Sequence, residues 1–207
     1  MLYRIGEVLV SFWFFLFTRR IVTGIEHVPA RGSLLVVANH LNNADPPLIG
    51  ISLGRKARFM AKEELFRNPL ARFVLLAVGA FPVNRRRPGK NSLQEADQAL
   101  AQGFPLVMFP ESTRSSTAKM RTGLPGAAMV AVKSGAPILP IGIIGTEKIK
   151  GAWWWLARPY IRVNIGVPFT LTSKSDSTTR DQLTQYTDEI MHNIASLLPI
   201  EYRGEYA

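Results

Sequence analysis

From residue 39 the chain reads Asn39-His40-Leu41-Asn42-Asn43-Ala44-Asp45, directly after the apolar run Ser33–Ala38. An imidazole beside a carboxylate is suited to moving a proton near neutral pH. The carboxylate bonds one ring nitrogen, fixes the tautomer and frees the other nitrogen as a base. Such a base contributes about 10²–10⁴ in rate. On one continuous helix, a spacing of five would set the two side chains about 140° apart, on different faces. They meet only if the chain turns between them and Asp45 heads the next helix. Asn42-Asn43 suits such a turn and Pro46 suits a helix start. The same residues also fit a histidine bonded to backbone at a strand end, with Asp45 as an ordinary helix cap.

A second polar group follows another apolar run, Pro105–Phe109, in Phe109-Pro110-Glu111-Ser112-Thr113-Arg114-Ser115. Glu111 could accept from substrate hydroxyls and Arg114 could fork onto a phosphate. The competing reading is a surface loop with a local ion pair worth about 0–1 kcal/mol. A third group, Gly79 to Arg87, ends in three adjacent arginines, Arg85, Arg86 and Arg87. These suit phosphate capture or a solvated charge run. Ligands in α/β sheets gather at the carboxyl ends of strands, so the first two groups share one mouth if their strands are parallel.

The elements needed to hold these residues follow from the hydrophobic pattern. Strands are predicted at Ser33–Ala38, Arg58–Met60, Phe81–Asn84, Pro105–Phe109, Ile138–Ile144 and Ile161–Ile165, with Pro140 placing its strand at an edge or a bulge. Helices are predicted at Asp45–Leu53, Glu63–Val78 (kinked or restarted at Pro69), Ser92–Gln102, Gly126–Lys133 and Thr179–Leu198. This alternation predicts an α/β fold, a central largely parallel or mixed sheet flanked by helices. The segment Leu65–Ala80 fits an acyl-channel lining and helix-on-sheet packing equally well.

Composition narrows the partners. The 207 residues carry a formal net charge of +10 and no cysteine, which excludes disulfides, thiolate metal sites and a cysteine nucleophile. Three histidines without a close His/Asp/Glu cluster argue against a metal site. The positive charge favours anionic partners, whether nucleic acid, acidic headgroups or phosphorylated cofactors. The apolar N-terminus selects among them. Val8–Phe17 is shorter than the ~20 residues of a membrane span, and no small-residue cleavage site follows it. An interfacial helix in the headgroup zone fits best, with Trp13 at the boundary and Arg19–Arg20 on phosphates. A buried core helix and a true span are the alternatives. Trp153-Trp154-Trp155 is either a second interfacial contact or packed core.

Four blocks now stand in order: His40 and Asp45 in N-H-x-x-x-x-D, Phe81-Pro82-Val83-Asn84-Arg85, Phe109 to Ser115, and Ala136-Pro137-Ile138-Leu139-Pro140. Together they resemble the glycerolipid acyltransferases, most of all the 1-acylglycerol-3-phosphate (lysophosphatidic acid) acyltransferases, over about residues 20 to 170. The resemblance implies His40 as general base and Asp45 as its orienting partner. It implies that Arg85, Glu111, Thr113 and Arg114 hold the acceptor's glycerol phosphate, with Asn39 and Ser112 in the same substrate-binding set and Pro140 shaping the pocket wall. It implies a membrane-associating helix over residues 1–20, an acyltransferase domain over 21–207, and a location at the cytoplasmic face of a membrane. No bound cofactor is expected. The co-substrate is an acyl-CoA or acyl carrier protein thioester, the acceptor is lysophosphatidic acid, the surface partner is an anionic membrane, and nucleic acid is not a partner. With no G-x-S-x-G elbow, the acceptor hydroxyl would attack the thioester directly. Two positions depart from the family pattern: Ser112 stands where glycine is usual, and Leu124 where a lysine is frequent, with Lys119 or Arg121 as substitutes. The same chemistry on another lysophospholipid, glycerol 3-phosphate or a glycolipid is the near alternative. A non-catalytic membrane-binding protein and a nucleic-acid binder are the distant ones.

Overall fold

Ser33–Ala38 is uniformly apolar because the strand it forms, β2 (Leu34–Ala38), is covered on both faces, and all five of its residues are buried. The computed structural model describes residues 2–207 except 70–71, 73–74, 77–78, 84–89 and 172–177. Its sheet contains β1 (Arg19–Thr23), β2, β3 (Arg58–Lys62), β4 (Ala80–Val83), β5 (Pro105–Met108), β6 (Ile138–Ile144) and β7 (Tyr160–Ile165). The order is β1-β7-β6-β2-β5-β3-β4. Every neighbouring pair is parallel except β6–β7, so the sheet is mixed.

Period-two alternation splits β2 between two cores. Leu34, Val36 and Ala38 face a layer built by α1 (Leu2–Phe17) and α2 (Asp45–Leu53), with Phe14, Leu48, Ile49 and Leu53. Leu35 and Val37 face α3 (Lys90–Ala101), α4 (Gly126–Ser134) and α6 (Arg180–Ser196), with Leu100, Ala128, Ile190 and Ile194. Thus the helix after β2 leaves to one face and the helix after β5 to the other. Adjacent parallel strands that part in this way open a crevice at their carboxyl ends.

Local signals account for most of the helix boundaries. Pro46 and Pro47 occupy the first turn of α2, and Gly54 closes it with φ +62°. Thr179 and Gln182 form a reciprocal capping box on α6. The pattern from Glu63 is broken as Pro69 requires. A 3-10 turn covers Glu63–Arg67, and helical turns resume at Pro69, with several residues of this stretch outside those described.

Pro140 does not mark an edge, because β6 lies between β2 and β7. It faces an irregularity instead. Ile141 pairs with Ile165 and Ile138 bridges to Phe169, leaving two residues (139 and 140) opposite three (166–168). The missing proline N–H falls at this bulge, while the Pro140 carbonyl still accepts from Gly166 N–H at 2.9 Å.

The N-terminal helix is not a separate appendage, and the boundary expected at residue 20 falls inside β1. One side of α1 packs on the core, with Phe14 1% exposed and Val10 and Trp13 beside it. The other side exposes Ile5, Val8, Leu9, Phe12, Phe15 and Leu16, a continuous stripe at helical spacing. Among the described residues, no helix is long and apolar enough to cross a membrane.

Candidate active site

Beyond Ala38 the chain leaves the sheet, and the five-residue spacing is resolved by a turn. Asn42 Oδ1 accepts from Ala44 N–H at 3.0 Å, and Asp45 N–H donates to Asn42 O at 3.1 Å. Such an asparagine turn reverses the backbone, and Asp45 becomes the first residue of α2. Its side chain reaches back to His40, with Nδ1 to Oδ2 at 2.8 Å.

Asp45 is fully buried and fully engaged. Oδ2 also accepts from the backbone N–H groups of Leu41 and Asn42, both at 2.7 Å, and Oδ1 accepts from Thr146 Oγ1 at 2.6 Å. Two amides and a hydroxyl thus donate to its oxygens at the helix N-terminus. An ionised Asp45 can only accept. His40 Nδ1 therefore carries the hydrogen, and Nε2 keeps the lone pair. Thr146 owes its position to Gly145, whose φ is +93° and whose absent Cβ would lie 2.1 Å from Tyr160 O.

His40 is held on several sides. Its N–H donates to Glu111 Oε1 at 3.0 Å, its carbonyl accepts from Ser115 N–H at 2.8 Å, and its ring stacks on Phe109 at 4.1 Å. The His/Asp and Glu/Arg groups thus converge because β2 and β5 are parallel neighbours.

Glu111 is 4% exposed. Its second oxygen accepts from Arg121 N–H at 3.0 Å, so backbone amides engage both oxygens, and the surface-loop pair with Arg114 is not formed. Burial pushes its carboxyl up to about 7, against the pull of those two amides and the Arg121 charge. Ser112 adopts φ +61°, the left-handed backbone that explains why glycine would be usual there. Thr113 and Arg114 are exposed on the same loop, as are Lys119 and Arg121, and Arg121 Nη1 donates to Thr113 Oγ1.

Three of the expected substrate-binding residues fare differently. Asn39 points into the sheet, donating to Ile143 O at 2.9 Å and accepting from Ile143 N–H at 2.7 Å. Its side chain thereby adds a rung between β2 and β6 and is buried. Pro140 is buried midway along β6, on the sheet face opposite α2, in a site where Gly166 must lack a Cβ that would lie 2.9 Å from its ring. In register it stands opposite Val37, the penultimate residue of β2. Arg85, like Arg86 and Arg87, lies outside the described residues. The strand before it, β4, ends at Val83 at the same end of the sheet as β2 and β5.

Sequence reasoning missed the supports of the site. Thr146 lies 101 residues from Asp45, and no local pattern links them. The C-terminal α7 (Ile200–Arg203) braces the loop from behind. Tyr202 O accepts from Met120 N–H at 2.7 Å, and Tyr202 Oη donates to Glu147 Oε1 at 2.8 Å. Tyr202 thus touches the neighbours of both Arg121 and Thr146. Desolvation and the Glu147 carboxylate raise its phenol well above the usual range.

The chain is similar to known proteins over most of this fold. The acyltransferase family profile matches residues 19–144, more than half of the chain. The 1-acyl-sn-glycerol-3-phosphate acyltransferase of Borreliella burgdorferi is 30% identical over 129 residues, 61% of this chain and 52% of the relative. That of Bacillus subtilis is 26% identical over 176 residues, 83% and 84% of the two chains. The chain spans about half the length of several curated relatives it matches. The crystal structure of the 1-acyl-sn-glycerophosphate (LPA) acyltransferase from Thermotoga maritima superposes with a TM-score of 0.72 at 28% identity, covering 94% of this chain and 78% of that one. With a profile match running from β1 to the end of β6, through both blocks that form the buried His40–Asp45–Glu111 cluster, the chain belongs to the acyltransferase family.

Proposed function

We propose that the chain transfers an acyl group from a thioester to the sn-2 hydroxyl of a 1-acylglycerol 3-phosphate, giving phosphatidic acid. The carrying observation is Asp45, buried with four hydrogen-bond donors and in contact with His40 Nδ1. A histidine held in this way presents Nε2 as a base of fixed orientation. The hydroxyl oxygen attacks the thioester carbonyl as its proton passes to Nε2. The carbon–sulfur bond then breaks, and the imidazolium returns the proton to the departing thiolate. The ester and the free thiol of CoA or acyl carrier protein are the products.

Thr113, Arg114 and Arg121, exposed on the loop beside His40, suit the acceptor's phosphate, and Arg85 is assigned there on the family pattern. The chain is assigned to the cytoplasmic surface of an anionic membrane, where a lipid acceptor and a soluble thioester can both reach the site; the exposed stripe of α1 supports the membrane-surface part of this reading. The relatives' names support lysophosphatidic acid over glycerol 3-phosphate or a glycolipid. Purified protein offered a panel of acceptors with acyl-CoA or acyl carrier protein, followed by mass spectrometry, tests both substrates. His40→Ala should lower kcat by at least about 10²–10⁴. Near-wild-type turnover in that variant defeats the mechanism.

A further inference from the structure

The chain has four tryptophans, and all four stand in one patch. Trp13 of α1 meets Trp154 with ring centroids 5.3 Å apart. Phe17 meets Trp154 and Trp155, each at 6.3 Å, and Trp153 meets Trp155 at 6.1 Å. These contacts leave much of the aromatic surface uncovered. Trp153 is 70% exposed and Leu156 63% exposed, on a helical turn, α5, that spans only Trp154–Ala157. The outer stripe of α1 adds Phe12, Phe15 and Leu16. Contiguous apolar surface of this kind marks an interaction site.

We propose that the Trp153–Leu156 turn is a second membrane-insertion element that, with the outer stripe of α1, fixes the tilt of the protein on an anionic phospholipid surface. This deepens the membrane-surface reading above and rests on it, though not on the acyl-transfer chemistry. Two observations select a bilayer as the occupant. Tryptophan rings, apolar in body and polar at one edge, favour the headgroup boundary, and here they cluster with aliphatic and phenylalanine side chains. The flanks are cationic: Lys148, Lys150, Arg158 and Arg162 stand against one acid, Glu147, between residues 145 and 162, and Arg19 and Arg20 adjoin on β1. Phosphates of anionic lipids complement that rim.

The turn also lies close to the chemistry along the chain. Thr146 holds Asp45, Ile149 O accepts from Asn42 Nδ2 at 3.0 Å, and Trp153 follows four residues later. A helix lying alone in an interface can roll about its axis, whereas a second contact at its C-terminal end stops the roll. Docking through this turn therefore sets the height of the His40 loop above the headgroups.

Because every tryptophan is in the patch, intrinsic fluorescence reports on it alone. Vesicles of phosphatidylcholine and phosphatidylglycerol in equal parts, carrying bromine on the acyl chains, quench rings that enter the bilayer. A chain with Trp13→Phe, Trp154→Phe and Trp155→Phe reads Trp153 by itself. Its emission should shift to the blue and be quenched on vesicle addition. Trp153→Ser with Leu156→Ser, in the otherwise unaltered chain, should weaken vesicle partition about tenfold or more, with turnover of a monomeric short-chain acceptor unchanged. Co-sedimentation with an unquenched Trp153 and unweakened partition of the serine variant leaves α1 as sole anchor and overturns the proposal while sparing the membrane reading. Absence of co-sedimentation overturns both. A concentration-dependent dimer that the serine substitutions dissolve, without vesicle binding, assigns the patch to a second copy and also overturns it. None of the binding readouts uses an acyl donor, so a failed acyl-transfer assay does not bear on them.

Discussion

Replacing Asp45 by asparagine separates what this side chain does by shape from what it does by charge. Oδ2 accepts from His40 Nδ1 and from the amides of Leu41 and Asn42, while Oδ1 accepts from Thr146 Oγ1. An asparagine can answer all four. Its oxygen turns to the three nitrogen donors, its NH₂ faces Thr146, and that hydroxyl reverses to accept. Asp45→Asn therefore keeps both the turn and the imidazole tautomer. It removes the negative charge that faces the imidazolium formed when His40 takes the proton. With charge centres about 4 Å apart and an effective dielectric near 20, that attraction is worth ~4 kcal/mol, about a thousandfold in kcat. Stability should fall by only about 1–2 kcal/mol, as charge-assisted bonds become neutral ones. Thiol release from the acyl donor gives kcat, and thermal melting checks the fold. Adding Thr146→Val takes away the hydroxyl that accepts from the amide, so the double variant should lose a further ~1–3 kcal/mol and more activity. If folded Asp45→Asn keeps more than about a tenth of wild-type kcat, charge stabilisation of the imidazolium is refuted.

Glu111→Gln should make stability less dependent on pH. Burial raises the folded carboxyl to about 7, against 4.5 for the unperturbed group. Between those values the folded chain holds a proton that the unfolded chain releases, so the wild type is most stable below about 4.5 and weakens as pH rises to about 7. At ~1.4 kcal/mol per pH unit the loss is about 3 kcal/mol. Glutamine costs about 1–3 kcal/mol at every pH, because its NH₂ faces a backbone donor. Urea unfolding across that range should therefore move the stability gap about 3 kcal/mol in the variant's favour, and a gap that stays constant excludes burial as the cause. Tyr202→Phe removes the hydroxyl from Glu147, whose Oε2 is already buried without a partner among the described residues, and should cost about 1.5–3 kcal/mol. If Tyr202 positions the loop, kcat should fall severalfold at unchanged KM; a stability loss with full kcat makes it a scaffold residue alone.

Local and periodic signals made much of this fold legible. Asp45–Leu53 was readable from Pro46 and the apolar pattern, and α6 from Thr179 and its spacing, because caps and helix faces are fixed by neighbours in sequence. The His40–Asp45 contact was readable as a condition, since the spacing permits it only through a turn. Less legible was whatever depends on distant chain. Nothing local shows that Glu111 turns inward: its oxygens accept from the amide of His40, brought beside it by parallel pairing of β2 with β5, and from that of Arg121, further along its own loop. Asn39 reads as part of a polar site until Ile143 arrives from β6 to pair with it. Pro140 reads as an edge or a bulge, and only the pairing of β6 with β7 decides for the bulge. The N-terminal helix posed a choice between core and interface; one of its faces is core, and the other is exposed and apolar.

Glu111 joins two of these threads. Its carboxyl group crosses between the backbone N–H of His40 and that of Arg121. Whatever it contributes to acceptor recognition therefore passes through where the loop stands, since its oxygens already face inward. Arg121 in turn sits beside Met120, which Tyr202 anchors, and its guanidinium steadies Thr113. The backbones of His40 and Arg121 are thus tied by one buried carboxyl group. Ser112 and Ala118, both in the left-handed conformation, are strained links in that loop. A side chain that meets glycine geometry at Ser112 keeps the Phe109–Glu111–Thr113 path intact, so the departure from the family pattern leaves the His40 support in place.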